Sequence, residues 1–102
     1  MEIEFIYYNS KENKYKVLVY IGDDKSWKNA HLFEIENHKV ISHLVGGDYE
    51  ANQKITPFVH PDYLVNSDSD YKYIKNTAGL ECIIEEVILN YLEEEEKKKK
   101  EK

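Results

Sequence analysis

The sequence predicts an α+β domain: an antiparallel sheet of four or five strands packed by one long C-terminal helix. Three observations carry this. The apolar residues Leu80, Ile83, Ile84, Val87, Ile88, Tyr91 and Leu92 recur at i, i+3, i+4 and i+7, one face of an amphipathic helix. Two stretches near the N-terminus, EIEFIYY from Glu2 and KYKVLVYI from Lys14, alternate with the period of strands. A third stretch, HLFEIENHKVISHLV from His31, reads as two more strands about a tight turn at Asn37 and His38, because Asn tolerates the left-handed backbone such a turn demands.

In chain order, Ile3, Phe5 and Tyr7 form one face of the first strand. The second strand places Tyr15, Val17, Val19 and Ile21 on its apolar face and Lys14, Lys16, Leu18 and Tyr20 on the other. The NSKEN segment between them suits a hairpin, and a turn or short helical piece holds Trp27. A turn at Asn37–His38 sets Ile35 opposite Val40, Phe33 opposite Ser42 and His31 opposite Leu44, with Glu36 across from Lys39. That register sends His31 and His43 to opposite faces, so they are not expected to share a metal. GGDYEANQ reads as a loop, and KITPFVHPDYLV as a fifth strand that Pro57 confines to an edge.

Asn76 or Thr77 is placed to cap the final helix. Its end, YLEEEEKKKKEK, pairs Glu93 with Lys97, Glu94 with Lys98, Glu95 with Lys99 and Glu96 with Lys100 in the favoured i, i+4 order. Each such pair contributes roughly 0.2–0.5 kcal/mol. The domain is therefore set at residues 1–92, with 93–102 a charged, solvated extension of the helix that frays over its last turn.

At 102 residues, with 41% hydrophobic and 13% aromatic content, the chain is one folded domain. No apolar run is long enough to cross a bilayer, and the N-terminus lacks the basic start of a secretion signal, so a soluble, cytoplasmic protein without membrane contact is expected. All 14 basic residues are lysine. The segment 93–102 holds five acids and five lysines, leaving fifteen acids against nine lysines, a charge of −6, on residues 1–92. Without arginine's bidentate fork and with an acidic body, direct nucleic-acid binding is not expected.

Tests for chemistry return little. Asn66, Asp68 and Asp70 copy the opening of a calcium loop, but the sixth position is Tyr71 instead of glycine and the twelfth is Thr77 instead of glutamate. His60 and Asp62 stand two apart, with His43 and Asp48 conceivable partners, yet no recognisable ligand set is completed. Cys82, the single cysteine, reads as a packing residue near the helix start. Phosphate-loop, nucleophile-elbow and metalloprotease motifs are absent. Neither a cofactor nor a metal nor enzymatic activity is expected, and a hydrolytic or metal-dependent enzyme ranks third among the readings.

The nine tyrosines stand out. Tyr8, Tyr20, Tyr49, Tyr63, Tyr71 and Tyr73 fall in expected loops or outer strand faces, a composition that suits a protein-binding surface or else marks a second layer supplied by residues 46–76. The expected binding residues are Tyr8, Leu18 and Tyr20 on the outer sheet face and Glu81, Glu85 and Glu86 on the helix. In bulk composition, rich in Ile, Lys, Glu and Tyr and without arginine, the chain resembles small orphan proteins of archaeal filamentous viruses or AT-rich phages. That resemblance implies an accessory protein that binds another protein, such as an acidic inhibitor of a host nucleic-acid-binding protein. The alternative is a structural protein that self-associates through a strand edge or the helix overhang, and both a monomer and a homodimer are compatible.

Overall fold

Alternation in the first 45 residues becomes a meander of four strands, and the computed structural model, which describes residues 1–62 and 70–100, adds a fifth strand and two helices. The elements are β1 (Glu2–Asn9), β2 (Lys14–Tyr20), a short 3-10 turn (Trp27–Asn29), β3 (Ala30–Glu36), β4 (Lys39–Val45), α1 (Tyr49–Val59), β5 (Tyr71–Tyr73) and α2 (Leu80–Lys100). The sheet is antiparallel throughout, in the order β4-β3-β2-β1-β5. Both predicted hairpins form. Asn9 organises the first, its Oδ1 accepting from the backbone N–H groups of Lys11 and Glu12, and Asn13 takes the left-handed conformation. Asn37 and His38, with φ of 52° and 61°, make the second.

Two β-bulges shift the predicted faces. In β1, Ile3 pairs with Val19 and Phe5 with Leu18, so Glu4 is an extra residue. An extra residue reverses the alternation downstream of it. Ile3 and Ile6 therefore face one side, and Phe5 and Tyr7 the other, which corrects the expectation that Ile3, Phe5 and Tyr7 share a face. In β4, Ile35 meets Val40 and Glu36 meets Lys39 as expected, but Glu34 meets Ser42, leaving Ile41 extra. Phe33 then faces His43, not Ser42, and His31 faces Val45, not Leu44.

The sheet is covered on both faces. On one, Ile6, Val17, Val19, Phe33 and Ile35 pack against Ile84 and Ile88 of α2, with Leu80, Val87, Tyr91 and Leu92 closing around them. Of the seven residues in the predicted helical stripe, only Ile83 is largely open, at 48% exposure. Burying a side chain such as Ile84 or Ile88 contributes about 1.5–3 kcal/mol of gross transfer energy.

The other face is covered by α1, where a loop and an edge strand were expected. Asp48 caps this helix by accepting from Ala51 N–H at 2.8 Å, and Ala51, Ile55 and Phe58 form its buried stripe. Pro57 lies in the last turn, so the one bond its missing N–H cannot make, to the Gln53 carbonyl, is lost near the helix end and not in its interior. Tyr7, fully buried, donates its hydroxyl to the Phe58 carbonyl, one of the acceptors a helix end leaves unpaired. Lys16 lies over the rings of Phe58 and Tyr71 at 4.7 and 4.8 Å and pairs with Glu34 at 3.8 Å, which lets a lysine sit beside this second core. Gly46 is required where the end of β4 crosses the 3-10 turn, since a Cβ there would lie 2.0 Å from the Trp27 carbonyl oxygen.

Helix α2 begins after Gly79, with the Thr77 carbonyl accepting from Leu80 and Glu81 N–H at 3.0 and 3.1 Å. It continues to Lys100, past the apolar contacts that end at Leu92, so the charged extension is helical and overhangs the sheet. Lys98 there meets Glu95 at 3.7 Å, an i, i+3 pair one position nearer than the expected partner Glu94.

An aspartate at position 84 would be buried among Ile6, Val17 and Phe33 with no partner. Ile84→Asp is therefore expected to abolish the cooperative thermal transition, and Ile88→Ala to cost about 2–5 kcal/mol in denaturant titration. An Ile84→Asp protein that melts like the wild type would contradict the packing described.

Candidate functional site

The expected tyrosine surface is mostly interior. Leu18 is fully buried under α1, so its assignment to a binding surface is corrected. Tyr20 is half-buried against the same cluster, as are Tyr71 and Tyr73 in β5. Tyr8 is placed by the Glu4 bulge on the α2 side, where its ring lies 4.8 Å from that of Tyr15 and its hydroxyl donates to Asn13 Oδ1 at 2.8 Å. The outer sheet face is a second core in place of a docking surface. Tyr49 remains open at 79% exposure, and Tyr63 lies outside the described residues.

Glu81, Glu85 and Glu86 are exposed on α2 as expected. Glu81 is drawn to the helix start, its Oε1 accepting from the Thr77 hydroxyl at 2.8 Å. Glu85 and Glu86 line a shallow surface depression with Cys82, Leu89, Asn90 and Glu93, directly away from the sheet. Leu89 is 48% exposed in its middle. Among the described residues no cation is paired with Glu85, Glu86 or Glu93. From Leu80 to Glu96 the helix carries seven carboxylates and no lysine, whereas residues 1–79 carry twelve acids and nine lysines. Uncompensated acidity is thus densest along this stretch of the helix, ahead of the lysines that end it.

The most chemically loaded cluster lies beneath the other end of α2. The Ile41 bulge, invisible in the sequence alternation, brings His31 and His43 to the same face, correcting the expectation that they diverge. His31 Nδ1 and His43 Nε2 are 2.8 Å apart. Their ring centroids are 5.1 Å apart at an interplanar angle of 20°, which is the N···N distance plus one ring radius on each side, so the rings meet edge to edge. One ring donates and the other accepts. Because the two nitrogens point at each other, one ion cannot bind both without a ring turning. His43 lies flat on Phe33 at 4.3 Å, and Tyr91 of α2 meets both edge-on. Burial lowers both imidazole pKa values, and His31 lowers that of His43 further while Glu95 opposes this.

The remaining candidates do not assemble. His43 is under α2, whereas His60 ends α1 on the opposite face of the sheet and Asp48 is engaged as its N-cap. Asn66 and Asp68 lie outside the described residues, and Tyr71 and Thr77 belong to β5 and the approach to α2. Cys82 is exposed, correcting its reading as a packing residue. No group of three or more His, Cys, Asp or Glu side chains suited to a metal occurs among the described residues. Among those residues no helix is long and apolar enough to cross a membrane. The chain matches no family model, no curated protein and no solved structure.

The histidine pair gives the fold a pH dependence of defined sign. Folding holds both imidazoles below their ordinary value of 6.5, so just below that pH the unfolded chain binds more protons than the native one. This contribution is complete above pH 6.5 and is lost as pH falls through the window between the unfolded and folded values. Thermal melting of the wild type is expected to fall between about pH 7 and pH 5, above the carboxylate range. In His31→Gln/His43→Gln, whose amides can still bond to each other, the fall should be smaller. Equal slopes in the two proteins would contradict the assignment.

Proposed function

We propose that the protein is a protein-binding module that presents the outward face of α2 to a partner with a lysine- or arginine-rich surface. The observation that carries this is the row of Glu85, Glu86 and Glu93, which pairs with no cation among the described residues, around the half-exposed Leu89. Protein interfaces combine an apolar centre with a polar rim, and complementary charge sets orientation and encounter rate. An exposed leucine ringed by uncompensated carboxylates on a rigid helix supplies both. A partner that evolved to grip phosphate offers the matching basic surface, which supports the reading of an accessory protein inhibiting a nucleic-acid-binding protein.

Self-association through a strand edge has less support. The β4 edge exposes Ile41 and Val45, but it carries Lys39 and a bulge, two devices that discourage pairing between edges.

The test is affinity capture from a lysate of the native host with wild type and with Glu85→Lys/Glu86→Lys/Glu93→Lys, all three positions being exposed. The wild type is expected to retain a basic protein that elutes on raising the salt, as screened charge pairs do. The variant, melting as the wild type does, should retain none of it. Retention of the same partner by both proteins would refute the acidic face as the binding surface.

A further inference from the structure

One apolar surface of α2 is left unsealed, and it lies beside the acidic row. The β1–β2 turn at Asn13 and the β3–β4 turn at Asn37 and His38, all three in the left-handed region, end the sheet beneath the first turns of α2. Ile83 therefore extends past the sheet and stays half exposed, although the helical periodicity places it in the core stripe. The result is a groove of about 310 Å³, at the low end of the roughly 300–1,000 Å³ of ligand sites. Its walls are Tyr15, Ile35, Ile83 and Val87, with Asn13 and His38 at the rim. No Asp, Glu or Lys lines it among the described residues, in a chain that is 33% charged.

Two neighbours limit what fits. Glu86 stands three residues from Ile83, adjacent on the helix surface, and pairs with no cation among the described residues. The Oδ1 of Asn13 already accepts from the Tyr8 hydroxyl, which leaves the amide NH₂ of Asn13 as its free donor, suited to a backbone carbonyl. An apolar slot with an amide donor at its rim and a carboxylate beside it complements a large apolar side chain carried on a basic segment.

We propose that this groove is the anchor pocket for one large apolar side chain of the partner, presented in a segment flanked by lysine or arginine. The proposal rests on the acidic-face reading above and adds to it a specific residue type and place.

The test is an NMR titration of the full chain with acetyl-Lys-Lys-Phe-Lys-Lys-amide and, separately, with the same peptide carrying glycine in place of phenylalanine. The phenylalanine peptide should shift the methyl resonances of Ile35, Ile83 and Val87. It should bind roughly ten- to a hundred-fold tighter than the glycine peptide, the factor expected for burying one such side chain. In Ile83→Trp, where the indole fills the slot and the melting temperature is expected to hold, that difference should vanish. Equal binding of both peptides, with shifts confined to the amides around Glu85 and Glu86, would overturn the anchor pocket while leaving the acidic face standing. If neither peptide shifts any resonance, the acidic-face reading falls and the anchor proposal falls with it.

Discussion

The packing of Ile84 and Ile88 into the sheet is the contact on which the rest of the molecule depends. These two side chains fill the centre of the face formed by Ile6, Val17, Val19, Phe33 and Ile35, and among the described residues α2 is the helix that covers it. The same contact orients everything else on α2. With Ile84 and Ile88 directed inward, Leu89, Glu85, Glu86 and Glu93 are turned to solvent, Tyr91 is set edge-on against Phe33 and His43, and Ile83 is left over the end of the sheet. One helix thus divides into a face that stabilises the fold and faces available for contact.

The second layer explains why so aromatic a sequence does not expose its aromatic surface. Tyr7 and Tyr71 meet Phe58 edge-on, Phe5 and Tyr73 pack against Tyr7 and each other, and the Tyr7 hydroxyl satisfies the end of α1. Burial raises the Tyr7 phenol pKa, which favours the protonated, donating form. With that face sealed, contact surface is concentrated on α2, whose stretch from Leu80 to Glu96 carries seven carboxylates and no lysine.

Much of this was legible in the sequence, and the failures have one physical origin. The α2 stripe, the β2 faces and both hairpin turns follow from side-chain periodicity and from residues that tolerate left-handed backbone, because those signals are local. A bulge is not local in that sense: Glu4 and Ile41 each add a single residue that only the partner strand defines, and each reverses every assignment beyond it. Tyr8 moved to the helix side and His43 came to meet His31 for this reason alone. Helix α1 was missed differently. Its signal was present in Asp48 followed by Ala51, Ile55 and Phe58, but GGDYEANQ was read as a loop and KITPFVHPDYLV as a strand that Pro57 confines to an edge, whereas a proline in the last turn leaves the preceding turns intact. Leu18, exposed by the alternation of β2, is buried because that unrecognised helix lies over it.

Residue-resolved native-state hydrogen exchange tests the division of α2 most directly. If the inner face clamps the sheet, the amides from Ile84 to Leu92 exchange only by global unfolding, with the same opening free energy as the central amides of β2, and protection declines beyond Glu93 where the helix overhangs. Exchange of those α2 amides by local opening, at a free energy well below that of β2, would show a helix that comes away from a sheet standing without it, and would contradict the account.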